Sequence, residues 1–352
     1  MTSAPELARN AATHFPSARQ TLDLHAAVAA LWPRIEGWVP RERRAGVLAL
    51  CRPLPPIWRW GVLELRLAAG DDRVDVMGCV GAVEQDRALI LEHVESEALS
   101  PARSVLEAWA RSTAWAAVPL LWLEWDLPIG GRHSTLLFAC VNQAFLERDS
   151  SPPSPEKQLA LSAEVLRLSA IEPKKRTLML EGIARCVAAL PGRGRLLHVG
   201  PLSPRARAGC RLVVCLRAEE LRPWLRAVGW NGDIDAVEDW SYQAAPFWHR
   251  LLVHYDVGAS EPYLAIETDL AERASSRKTP FTEALTRAGL AQPERLDMAR
   301  RWPGKARENL CGNQGSQAVS RSVYFKLSFL ADRRLEAKAY LGFNLAAAQR
   351  RA

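Results

Sequence analysis

Long apolar runs are missing from this sequence. No stretch reaches the ~18 uninterrupted apolar residues that a membrane-spanning helix requires, and the opening MTSAPELARNAATHFPSARQ has no apolar segment of the signal-peptide kind. We therefore expect a cytoplasmic protein without a membrane partner. Cysteine is sparse and unpatterned: there are seven, an odd number, with no CxxC pair, and the closest two are Cys210 and Cys215. That excludes the usual zinc spacings and a secreted disulfide framework. One-signed charge is also lacking. Lys plus Arg is 46 and Asp plus Glu is 39, a formal net charge of +7 that is scattered and Arg-rich. Without a basic stripe interleaved with aromatics, no nucleic-acid partner is expected. The sequence holds no Walker loop, GxGxxG, HExxH or nucleophile elbow, so the chemistries those motifs carry have no foothold.

What is present is a soluble globular composition, 48% hydrophobic and 24% charged over 352 residues, enough to bury a large core. Strand signals arrive in pairs. Trp60–Ala69 and Arg73–Gly81 flank Gly70-Asp71-Asp72; Pro119–Leu127 and Ser134–Asn142 flank PIGGRH. Arg195–Gly200 precedes Arg211–Arg217, Arg250–Gly258 precedes Pro262–Leu270, and SVYFKLSFLADRRLEAKAY (Ser322–Tyr340) reads as a last hairpin. Each pair alternates apolar and polar residues and is bounded by Gly, Pro or charged turn residues.

Helical segments fill the gaps. Ser100-Pro101, Ser154-Pro155 and Thr279-Pro280 each place a capping side chain before a proline that has no amide to leave unbonded. TLMLEGIARCVAAL, EELRPWLRAVGW, DIDAVEDWSYQAA and PERLDMARRW complete the set, and LDLHAAVAALW precedes it. RDSSPPSP (Arg148–Pro155) reads as an exposed loop, and GNQGSQ (Gly312–Gln317) as a flexible connector. We treat 1–352 as one domain, with an N-terminal helical segment over 1–56 and strand–strand–helix repeats over 57–345.

Two-residue phasing divides every strand. Val323, Phe325, Leu327 and Phe329 oppose Ser322, Tyr324, Lys326 and Ser328; Leu335, Ala337, Ala339 and Leu341 oppose Glu336, Lys338 and Tyr340. Leu63, Leu65 and Leu67 oppose Glu64 and Arg66, and Leu121, Leu123 and Trp125 oppose Trp122, Glu124 and Asp126. The helices need apolar strand faces to cover. Ten antiparallel strands tend to close, which removes their edges. The expected fold is therefore α/β: a ten-stranded antiparallel β-barrel with a polar lumen, surrounded by α-helices in ββαα repeats. An open sheet with helices on one face explains the alternation equally well. A parallel doubly wound sheet does not, because paired strands lack crossover helices.

This order of elements, with LEAKAYLGF on a late strand, resembles the ABBA (PT-barrel) prenyltransferases over roughly Trp60 to Phe343. The segments LRAVGW, RRWPG and LEAKAYLGF also resemble a bacterial family encoded beside peptide-modifying enzymes, nearest in kind to the cyanobactin-type peptide prenyltransferases of ribosomal peptide natural-product clusters. The resemblance implies metal-independent transfer of a prenyl group from its diphosphate to a peptide or small aromatic acceptor. No cofactor is implied; the co-substrate is dimethylallyl diphosphate or a longer prenyl diphosphate. It also implies a basic cradle for the leaving diphosphate, from Arg66, Arg211, Lys326 and Lys338 with the hydroxyls of Tyr324 and Tyr340. Glu64 is the implied base. Trp122, Glu124, His254, Tyr263 and Glu267 would line the prenyl and acceptor space.

The family usually spreads basic residues over most hairpins. Here the presumed inner face is rich in acids: Glu64, Asp75, Glu124, Asp126, Asp256, Glu267, Asp269 and Glu336. A second reading is thus a barrel of the same shape that binds a peptide, or acts on it differently, during maturation of a ribosomal peptide without prenyl transfer. DDRVD (Asp71–Asp75) spells a metal–diphosphate motif, but it follows Gly70 in a turn and enters a strand, where successive carboxylates cannot share a helix face. No metal site is expected. Trp58 and Trp60 are candidates for a barrel mouth.

Overall fold

The computed structural model describes residues 21–81, 84–112, 115, 118–127, 134–142, 154–169, 171–192, 194–202, 209–244, 251–259, 263–269, 280–310 and 315–346. Among the described residues, eleven strands form one antiparallel sheet: β1 (Trp60–Arg66), β2 (Val74–Gly81), β3 (Leu120–Asp126), β4 (Ser134–Cys140), β5 (Arg195–Pro201), β6 (Cys210–Leu216), β7 (Leu251–Val257), β8 (Leu264–Asp269), β9 (Gly304–Leu310), β10 (Gly315–Phe329) and β11 (Leu335–Leu345). β1 to β8 pair in chain order, β10 follows β8, and β11 pairs with both β10 and β1. The result is a closed ten-stranded antiparallel barrel with helices, and the open-sheet alternative falls.

β9 lies outside the ring. It pairs only with the first half of β10, over Gly315–Arg321, while the second half of β10 pairs with β8. Neither β9 nor the start of β10 is visible in the sequence. KARENL alternates exposed Lys305, Arg307 and Asn309 with half-buried Ala306 and Glu308, and only its last residue, Leu310, is a large apolar one, too little to announce a strand. Gly315, Ser316 and Gln317 belong to β10, so the expected connector ends where a strand begins; RDSSPPSP falls outside the described residues up to Pro153.

The alternation sorts as phased. Outward residues such as Leu63, Leu65, Trp125, Leu212, Phe325 and Leu341 join helix residues in one hydrophobic cluster. Burying a large apolar side chain is worth roughly 1.5–3 kcal/mol, so the helical coat holds each hairpin apolar side out. The helices are placed as expected in most cases: α1 (Leu24–Leu31), α5 (Pro155–Leu168), α6 (Pro173–Ala188), α7 (Ala218–Val228), α8 (Ile234–Ala244), α9 (Pro280–Arg287) and α10 (Pro293–Arg301). Ser154 caps α5 by accepting from Lys157 N, and Gly289, at φ +68, turns the chain after α9. The Ser100-Pro101 start differs: a 3-10 turn spans Glu97–Ala102, and α4 begins only at Arg103 (Arg103–Arg111). α2 (Arg41–Cys51) and α3 (Glu84–His93) carry no strong start signal and are found only in the structure.

Tryptophans pin the coat to the barrel. A buried indole N–H usually finds an acceptor. Trp38 donates to the carbonyl of Arg66, Trp109 to that of Val118, and Trp302 to that of Gly342. Trp58 is one of these packing residues rather than part of a mouth: it meets Trp125 edge-to-face at 5.4 Å and covers Gly78, where a Cβ would lie 2.4 Å from its ring. Gly61, the register partner of Gly78, makes the same room for Phe343.

Candidate functional site

Inward residues of the ten ring strands line a cavity of about 300 Å³. A larger hollow, about 560 Å³, lies outside the barrel between α6, the end of α7 and the end of β7. Of its charged residues, Glu181 and Arg185 are solvent-exposed, and the buried Asp256 is paired with Arg211. The buried ionisable groups converge instead on the interior, which makes that the candidate site.

β1 runs the length of the chamber, from Trp60 at one end to Arg66 at the other. The Trp60 end is apolar. Trp60 stacks on Trp122 with ring centroids 6.3 Å apart, and Val62, Met77, Leu120 and Phe138 continue the wall. Val213 and Leu252 face it from β6 and β7. The wall is therefore mixed rather than polar throughout. Reading the inner face by its charges passed over the apolar residues in the same phase, although Val62 stands two residues from Glu64.

The Arg66 end is ionic. Arg66 Nη1 lies 2.5 Å from Asp75 Oδ2 and 3.2 Å from Glu64 Oε1. Lys338 Nζ donates to Glu64 Oε1 at 2.7 Å and pairs with Glu336 at 3.2 Å. Burial pushes the Glu64 carboxyl up, but Lys338, Arg66 and Lys326 together outweigh it and hold it well below the usual range. Glu64, Arg66 and Lys338 are thus brought together as expected. They sit behind the cavity wall, bonded to one another, and do not line it. Among the described residues, Glu64, Asp75 and Glu124 bring one carboxylate oxygen each within 4.8 Å of one another, as a cation site would. Lys338 and Arg66 already supply cations to the first two. The remaining acids of DDRVD are likewise engaged, Asp71 by Arg73 and Asp72 by Arg295, which agrees with a turn.

Between the two ends the other expected residues meet. Arg211, Tyr324, Lys326 and Tyr340 line the cavity, as do Trp122, Glu124, His254 and Glu267. Arg211 makes a two-pronged ion pair with Asp256, at 2.7 and 2.9 Å, and lies 3.9 Å above the Tyr263 ring. Tyr263 itself does not line the cavity; its hydroxyl lies 3.0 Å from that of Ser328. Lys326 Nζ donates to the Tyr340 hydroxyl at 2.9 Å and approaches His254 Nδ1 at 3.4 Å, and His254 Nε2 meets Glu267 Oε2 at 2.9 Å. No carboxylate of the described residues is within ion-pair distance of Lys326. His198, on the irregular stretch of β5, was not expected here; burial lowers it to about 4, so its imidazole is neutral.

Chemically, the arrangement is a chamber with an aromatic end and a waist where the Lys326 amine lies among hydroxyl, imidazole and carboxyl groups. Neither protein-family models nor curated proteins give a match to this sequence. The fold defines the class as a closed antiparallel barrel with helices and an interior cavity. Among the described residues, no helix is long and apolar enough to cross a membrane.

Proposed function

We propose that this chain is a PT-barrel prenyltransferase, moving an allylic group from its diphosphate to a peptide or small aromatic acceptor in natural-product biosynthesis. The observation that carries the reading is the presence of two unlike surfaces in one chamber: the Trp60–Trp122 wall on one side, and Lys326 with the Tyr340 hydroxyl on the other. As the allylic carbon–oxygen bond breaks, negative charge grows on the diphosphate and positive charge on the carbon. Lys326, Tyr340, Tyr324 and Arg211 stand where the first could be held, and the faces of Trp60 and Trp122 where the second could be shielded from water. The transfer needs no metal ion in this reading, since the cations Lys338 and Arg66 already engage the acidic end.

A second reading draws on the pairing of the other bases. Arg66 is matched by Asp75, Lys338 by Glu64 and Arg211 by Asp256, which leaves little positive charge for a diphosphate. That balance favours a barrel that binds a basic peptide without prenyl transfer. One experiment separates the two: incubation with dimethylallyl diphosphate and longer prenyl diphosphates, together with peptides from neighbouring genes, followed by mass spectrometry. Addition of one prenyl unit by the wild type, lost in Lys326→Ala, supports transfer; no product across the series, with a peptide still bound, supports the second reading.

A further inference from the structure

We propose that Glu267, oriented by His254, is the group that takes the acceptor's proton when the new bond forms. The inference rests on the transfer reading above and supplies the base that this reading requires.

Glu267 stands on β8 between Leu252 of β7 and Lys326 of β10 in the strand register, and lines the cavity. Its Oε2 is bonded to His254 Nε2 at 2.9 Å. Lys326 Nζ, 3.4 Å from Nδ1, can only donate. Nδ1 is therefore the acceptor and the ring proton sits on Nε2, aimed at Glu267. The imidazole is fixed in one tautomer and holds the carboxylate in one orientation. Among the described residues, Oε1 receives no hydrogen bond, so this oxygen is the one available to a bound acceptor.

The charged and titratable groups that share the cavity with Glu267 or act on it are His254 on β7, Lys326 and Tyr324 on β10, Arg211 on β6, His198 on β5, Glu124 on β3, Glu64 on β1 and Tyr340 on β11. Burial raises the Glu267 carboxyl to about 7, with Lys326 opposing and Glu64 assisting. A base with its conjugate acid near the working pH is matched to proton transfer. Glu64, held low by Lys338 and Arg66, binds a proton too weakly for the same task.

In the step itself, the bond between the allylic carbon and the diphosphate oxygen breaks, and its electron pair leaves with the diphosphate. The acceptor atom donates a pair to the allylic carbon and forms the new bond. The proton it sheds passes to Glu267 Oε1, leaving a neutral carboxylic acid that later releases the proton to water.

The test uses the whole chain with dimethylallyl diphosphate and an accepted peptide, comparing wild type with Glu267→Gln, Glu267→Asp and Glu64→Gln. Glu267→Gln is expected to lower kcat about a hundredfold or more, with KM for the diphosphate within about twofold. The wild-type rate should fall about tenfold per pH unit below about 7, and that limb should vanish in Glu267→Gln. Glu267→Asp should recover part of the rate, and Glu64→Gln, if folded, should keep the acid limb. Should Glu267→Gln not fold, carbon-13 titration of the glutamate carboxyls in wild type decides: a carboxyl titrating near the kinetic limb supports the assignment, and none above 5.5 overturns it. Transfer that survives Glu267→Gln, with its acid limb intact, overturns this inference alone. A wild type that transfers nothing to any acceptor overturns the transfer reading and this inference with it.

Discussion

Lys326 Nζ stands 2.9 Å from the Tyr340 hydroxyl, across the β10–β11 pair, while its register partner Lys338 bonds to Glu64 at 2.7 Å. Two lysines on facing strands thus have different duties: one faces the open chamber and the other closes an ion network behind it.

Replacing each should separate the duties. Lys326→Ala removes a charged donor to a bound anion and is expected to weaken inorganic diphosphate binding by about tenfold to a hundredfold, measured by calorimetry, with little loss of stability. Lys338→Ala leaves Glu64 short of its main partner in a buried setting, and should cost about 3 kcal/mol of unfolding free energy, measured in urea. Equal effects of the two on binding would argue that both face the ligand.

The Arg211–Asp256 pair, almost wholly buried, should behave as a unit. Arg211→Met or Asp256→Leu alone strands a charge and is expected to cost about 3 kcal/mol. The double variant should cost less than the sum, with a coupling of about 1–3 kcal/mol in a double-mutant cycle. Simple additivity would show that the pair does not interact in solution.

Glu267 gives a pH dependence that is independent of any activity. Its carboxyl is raised from 4.5 to about 7 by burial, so the folded chain holds a proton that the unfolded chain releases. Stability is then highest below the ordinary carboxylate range and falls as pH rises towards 7. Glu267→Gln lacks this loss. At pH 8 the variant should gain about 2–3 kcal/mol on wild type relative to the difference between them at pH 4. A difference that stays constant with pH would mean the carboxyl is not raised.

Gly78 should resist enlargement. An alanine methyl there meets the Trp58 ring, which is itself held against Trp125. Gly78→Ala is expected to cost about 1–3 kcal/mol by overpacking, read as a lower midpoint in thermal unfolding. Trp58→Leu in the same background should recover part of it.

Much of this architecture could be read from residue order. Alternation in VYFKLSF and LEAKAYL states which side chains share a face, because a strand's side chains alternate whatever covers them. Lys326 and Tyr340 line the cavity, on the side that phasing gives them, and so do His254 and Glu267 of the preceding hairpin. Alternation could not show β9, whose GKARENL ends in a single large apolar residue, Leu310, and pairs with the part of β10 that runs on past the ring. Nor could it separate Trp58 from Trp60. These lie two residues apart, yet Trp58 packs with the coat and Trp60 faces the chamber.

Residue pattern alone therefore marked the ten strands of the ring, most helices and the two faces, since those follow from local periodicity and burial. Tertiary structure alone decided closure and the pairing of charges. Closure depends on β11 reaching β1 across the whole chain. Pairing depends on which carboxylate lands near which cation once the ring has formed, as with Lys338 at Glu64 and Lys326 at none. Those contacts join residues far apart in sequence, where no local rule reaches.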